Sequence, residues 1–211
     1  MALSIVDVQH IHTASGVSVT MTVTGLASGD KILACWRYRN LGTRVSQTAL
    51  GNAMSTLGTT QGGTFADLQW FQYTVSGGDP SSGDIVLTLD GAQRQGAVAW
   101  VLRGWNTIGT PAHVTTTGTS ITQDVSSESG SLVLSAGLVD DEVAVTQGAG
   151  QTERQDENSA TALTLFASDE TGAATVTMSH SWTGSFSAVQ SAFNVTAAAG
   201  GGSKPMFRGQ A

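Results

Sequence analysis

The sequence predicts an all-β fold, an antiparallel jelly-roll-like β-sandwich with a flexible C-terminal arm, and three observations carry that prediction. Apolar and polar residues alternate with a period of two over many short segments, which is the pattern of a strand with one buried and one solvated face. Gly, Asp, Ser and Pro punctuate nearly every gap, as in SGGDPSSGD, LDGAQ, SSESG and DETG. No segment carries a sustained helical period. The stretch 46–58, SQTALGNAMSTLG, has room for a short helical turn, but its glycines make it a loop.

The elements follow in order. MALSIVDVQH already alternates like a strand. GVSVTMTVTG sends Val17, Val19, Met21 and Val23 to one face and Ser18, Thr20, Thr22 and Thr24 to the other. DKILACWRYRN is apolar on both faces from Ile32 to Trp36, which makes it a central strand; its end sets Arg37 and Arg39 opposite Trp36 and Tyr38. Further strands are expected over 66–76, 84–90, 96–104, 131–139, 160–168, 174–180 and 185–195. About ten strands at short spacing indicate a sandwich or barrel.

An internal echo organises them. Gly16 opens a run of alternating strand, Gly/Ser turn and apolar strand, and Gly118 opens another. The halves 16–104 and 118–195 therefore share a plan. We expect a single domain over 1–196, because two such halves bury each other's exposed faces. Residues 197–211, AAAGGGSKPMFRGQA, have no core-forming pattern and read as a linker and anchoring arm.

Composition narrows the function. Charged residues are only 12% of the 211, and the net charge is −7. An acidic surface argues against nucleic acid. The single cysteine, Cys35, forms no internal disulfide and sits in an apolar run. No apolar run reaches the length of a membrane span, and no secretion leader is recognisable, so synthesis in a cytoplasm is expected. Nucleophile-elbow, zincin and P-loop patterns are missing. No enzyme activity, cofactor or metal is expected. His10 and His12 share a strand face without further ligands, and Asp140, Asp141 and Glu142 lack calcium-loop spacing.

Three groups of residues stand out as contacts. Arg37, Arg39 and Arg44 form a local basic cluster, a candidate docking patch for an acidic partner surface. Trp182, in the turn-like SHSWTGS, and Trp105, after Gly104, are candidate glycan contacts. Lys204, Pro205, Met206, Phe207 and Arg208 combine cations with an apolar pair, the mixture found in interface cores. They are read as a partner-anchoring arm that grips another protein or swaps between copies.

The order GLASGDKILACWRYRN, GTRVS, FADLQWFQYTVSGGDP, AVAWVLRGWNTIGT, SGSLVLSAGL and SFSAVQSAFN resembles the jelly-roll-like β-sandwich of bacteriophage and prophage virion proteins. The resemblance spans roughly residues 3 to 196. It rests on Gly29 and Asp30 entering an apolar strand, the turn Ser76 to Pro80, and Arg103, Gly104 and Trp105 closing a strand. Leu41 and Gly42 stand where the family often has Gly-Trp. The resemblance implies a structural or glycan-adhesive protein on the particle surface, without catalytic residues. The expected role is capsid decoration, with a tail-fibre or spike adhesion module, or a tail or baseplate component, as the alternatives. The partners implied are the major capsid protein or other virion proteins, further copies in a symmetric array, and a host surface glycan. Related domains also occur in gene-transfer particles.

Overall fold

A computed structural model describes residues 1–39, 42–62, 66–157 and 163–198. Two antiparallel sheets divide the chain between them. The first holds β1 (Ser4–Val23), β2 (Lys31–Arg39), β3 (Arg44–Ala49), β4 (Asn52–Ala53), β5 (Ser55–Gly62), β6 (Ala66–Thr74) and β7 (Gly83–Arg103), in the order β4-β3-β7-β2-β6-β5, with β1 also on β7. The second holds β8 (Trp105–Ile108), β9 (Ala112–Ser126), β10 (Leu132–Val139), β11 (Thr146–Gln147), β12 (Thr152–Glu157), β13 (Thr164–Thr171) and β14 (Thr175–Ala197). Its order is β11-β14-β10-β13-β12, with β8 and β9 also on β14. The described residues contain no helix.

The sequence echo is an echo of register. Leu87 on β7 pairs with Val19 and Gln47; His180 on β14 pairs with Ile121 and Gln147. Lys31 pairs with Thr74 and Leu102; Leu132 pairs with Thr171 and Val195. The connecting turns match too. Asp30 N–H donates to Ala27 O and Ser131 N–H to Glu128 O, both at 3.0 Å. Gly29 and Gly130 take the left-handed φ (90° and 83°) that the third turn position demands. Each turn is fixed by the side chain that follows: Asp30 accepts from Ala27 N–H, Ser131 from Glu128 N–H.

Each sheet curls. β7 pairs with β3 over Ile85–Leu89 and with β2 over Gln95–Leu102, so its two ends serve different neighbours and the sheet closes over its own concave face. Val19, Met21, Ile32, Trp36, Tyr38, Phe71, Ile85 and Leu87 fill that concavity. The convex face packs on the second sheet through Leu33, Cys35, Leu68, Trp70, Val98 and Trp100 against Leu134, Leu165, Val189 and Phe193. Trp70 stacks on Trp100 (centroids 5.5 Å), meets Phe193 edge-on (4.8 Å) and donates to Ser191 Oγ at 2.9 Å. Aromatic pairs of this kind contribute about 0.5–1.5 kcal/mol each beyond area burial.

Two local expectations change. The stretch 46–58 is not a loop: it carries β3, β4 and the start of β5, and its β3–β4 hairpin turns at Leu50 and Gly51, both at positive φ (55° and 79°). Val17 does not face the core. The β1–β7 register breaks between Gly16 and Ser18, which leaves Val17 48% exposed.

Candidate functional site

The three arginines of the expected docking patch do not share a surface. Arg37 is fully buried. β2 is covered on both faces, so the alternation that seemed to turn Arg37 to solvent points it into the inter-sheet layer, beside Gly96. Arg39 is half-buried at the strand end. Arg44 lies on the opposite side, its guanidinium 5.6 Å from the Phe71 ring centre. The basic cluster of the sequence is thus split across a sheet.

Neither tryptophan singled out for glycan is a free platform. Trp182 lies within β14, not in a turn, and is 7% exposed. Its Nε1 donates to Gly118 O at 2.9 Å, and its ring packs with Ile121, Val139, Val145 and Phe166. Trp105 is half-buried; its Nε1 donates to Gly29 O at 2.8 Å and Lys31 Nζ sits 4.4 Å above its ring. Here two separated motifs meet. Arg103 donates to both Asp30 oxygens (2.9 and 2.6 Å) and to Gly25 O, so GDK and RGW form one clasp at the junction of the sheets. Gly104 is required there: a Cβ would lie 2.3 Å from Ala2 O. Residues Lys204, Pro205, Met206, Phe207 and Arg208 lie outside the described residues.

Sequence reasoning missed a buried polar chain inside the second sheet's curl. Ser168 Oγ lies 3.0 Å from His180 Nε2, and His180 Nδ1 lies 3.0 Å from Gln190 Oε1. Gln190 Nε2 donates to Met178 O, which turns its oxygen toward Nδ1 and places the imidazole proton there. Ser168 then has one hydroxyl proton for two acceptors, His180 Nε2 and Gln151 Oε1 (2.8 Å). Burial pushes the His180 pKa down to about 4, partly opposed by the Gln190 bond. The connectivity is that of a nucleophile, a base and its orienting group. However, Ser168, His180 and Gln190 are at most 2% exposed, so no substrate reaches the hydroxyl. The chain is an internal hydrogen-bonding device.

The open site lies elsewhere. A cleft of about 430 Å³ forms where Gly62, at the end of β5, faces β9, β10 and β14. Leu138, Ala188 and Val189 supply its apolar part, and Thr115, Thr116, Thr117 and Ser187 its hydroxyls. Asp140 completes the wall. Its N–H continues the ladder to Ser187 O at 2.9 Å, while both carboxylate oxygens are shielded from water without a hydrogen-bond partner. Desolvation raises its pKa. Uncompensated carboxylates are costly and rare inside proteins. The acidic run Asp140–Glu142 was visible in sequence, but nothing there separated Asp140 from its neighbours. Among the described residues no group of three His, Cys, Asp or Glu is placed to hold a metal.

Comparison with protein-family models, curated proteins and solved structures found no match.

Proposed function

We propose that the chain is a non-enzymatic structural protein of a bacteriophage or phage-like particle, a decoration module docked on the particle surface and held to its neighbours by segment 204–208. The observation that supports the reading most is the clasp. Asp30, Arg103 and Trp105, residues on which the virion resemblance rests, meet where the chain passes from the first sheet to the second: Arg103 holds Asp30 within the first sheet, and the Trp105 indole, on β8 of the second, donates to Gly29 O of the first. Two repeats fastened in this way make a stiff block with threonine-rich outer faces, suited to repeated display on a symmetric shell, where weak contacts add by avidity. The adhesion alternative loses its two candidate platforms, since Trp182 and Trp105 both engage their own chain. The test is occupancy on assembled particles. A chain truncated after Ala199 is expected to fall below about a tenth of wild-type occupancy, the loss avidity amplifies; undiminished occupancy rejects the anchoring role, and localisation of the intact chain away from any particle rejects the reading as a whole.

A further inference from the structure

We infer that a second cleft, between the start of β1 and the turn before β10, receives Phe207 of the same chain, whose ring takes there the place that Trp105 holds in the first repeat. The latch keeps segment 204–208 on its own fold until a neighbour takes it; that last role rests on the reading of the segment as an anchoring arm.

The cleft holds about 300 Å³, with Leu3 and Ile5 on one wall and Gly130 and Leu132 on the other. Leu3, Ile5 and Leu132 are half-buried and Gly130 is exposed, so the opening presents apolar surface. Its carboxylate is closed and engaged: Asp169 accepts from Trp100 Nε1 and pairs with Arg154. The cleft therefore asks for an apolar side chain, and register shows which kind. Leu102 and Val195 are counterparts, because they pair with Lys31 and Leu132. Ile5 pairs with Leu102 and Ile108 with Val195, so the start of β1 is the counterpart of β8, and Ala2 that of Trp105. The contacts agree: Trp105 pairs with Ala197, and Ala2 lies against Gly104, the counterpart of Ala197. In the first repeat the indole covers the turn Gly29–Lys31, donating to Gly29 O at 2.8 Å with Lys31 Nζ 4.4 Å from the ring centre. In the second repeat the turn is Gly130–Leu132, and Ala2 has no ring to lay on it. Leucine in the place of the lysine makes this seat the more apolar of the two, which suits a phenyl ring.

Reach decides whose ring it is. The chain leaves the fold at Ala198, whose N–H donates to Gly104 O at 2.7 Å. Gly104 touches Ala2, the residue before Leu3, so the exit stands within a few residues' length of the cleft. Beyond Ala198 the one aromatic residue is Phe207, nine positions on. A glycine-rich chain of that length averages about 17 Å end to end and spans about 30 Å at full stretch. The chain's own cleft is therefore reached without extension. A tether this short holds the ring at a millimolar effective concentration, which a second copy matches only when the protein itself is as concentrated.

Nitrogen-15 relaxation of the full chain tests this. The amides of Met206 to Arg208 are expected to show order parameters above about 0.6 in wild type and below it in Phe207→Ala. Ala2→Trp, which lays the first repeat's ring in the cleft and leaves the arm intact, should release them equally, and Phe207→Trp should keep them ordered. Far-UV circular dichroism checks that each variant is folded. A flexible segment in wild type, or one as ordered as wild type in Phe207→Ala or Ala2→Trp, overturns the inference. Order lost on tenfold dilution, with dimers in sedimentation equilibrium, gives the ring to a second copy and overturns the same-chain assignment. Particle occupancy separates latch from anchor. If the arm is flexible in solution and truncation after Ala199 empties the particle, the latch falls and the anchor stands; if the arm is ordered and truncation leaves occupancy undiminished, the latch stands and the anchoring reading falls.

Discussion

The two sheets share one register over their common strands, yet five matching interior positions carry opposite chemistries. In the first, Met21, Ala34, Phe71, Leu87 and Ala97 occupy the concavity. The pairing registers put Gln123, Ser135, Ser168, His180 and Gln190 at the matching places in the second, all buried. The aromatic bulk has also changed strands. Trp36 faces Gln69 across β2–β6, whereas Gly137 faces Phe166 across β10–β13, and a Cβ on Gly137 would stand 2.2 Å from the Phe166 ring. The lesson is that backbone register, the matched turns and the shared inter-sheet layer specify this fold. The filling of each curl has only to conserve volume.

The strongest way to break that comparison is to move the aromatic residue. Trp36→Gly alone is expected to lose about 4 kcal/mol in urea denaturation, the cost of a large core cavity. Adding Gln69→Phe, which rebuilds the arrangement of the second sheet, should recover at least about 1.5 kcal/mol, measured as the coupling in a double-mutant cycle. No recovery would mean that the exchange between strands is not compensatory.

Acid comes next. His180 titrates near 4 in the fold and near 6.5 unfolded, so between those values the unfolded chain binds more protons. Stability is therefore full above about pH 6.5 and falls as pH drops toward 4, by about 3 kcal/mol from this group. Denaturation midpoints measured from pH 7 to 4 should show the slope, and His180→Leu, the residue of the first sheet, should remove the part due to this group.

At neutral pH His180→Leu alone should lose about 1–3 kcal/mol, because it strands Gln190 Oε1 in the interior. Changing Gln190→Ala and Ser168→Ala with it should recover part of that loss if packing holds, since both side-chain neighbours of the imidazole then go and only Gln151 Oε1 and Met178 O lose a donor. Smallest, and opposite in sign, Asp140→Asn should stabilise the monomer by up to about 1 kcal/mol in thermal or urea unfolding, because a shielded carboxylate without a donor is replaced by a neutral amide.

Much of the architecture was legible because period-two alternation and turn chemistry are local. The echo from Gly16 and Gly118 was visible because the two copies keep their Gly/Ser turn. Arg37 was misread because alternation assigns a residue to a face without saying whether that face is covered, and both faces of β2 are. Trp182 was misread because SHSWTGS is written in turn residues, yet the β9–β14 ladder continues as far as Ser181. The polar chain stayed hidden for a related reason. Ser, Gln and His in a strand read as a solvated face, and only the register showing His180 in the place of Leu87 reveals a buried one.

β14 has a mechanical consequence. Over 23 residues it is bonded in turn to β9, β11, β10 and β8, with β9 and β10 on either side of Ala188–Ala192. Traction applied beyond Ala198 runs along this strand and loads its ladder bonds together in shear, so a tether fixed there would strain many bonds at once before any one of them parts.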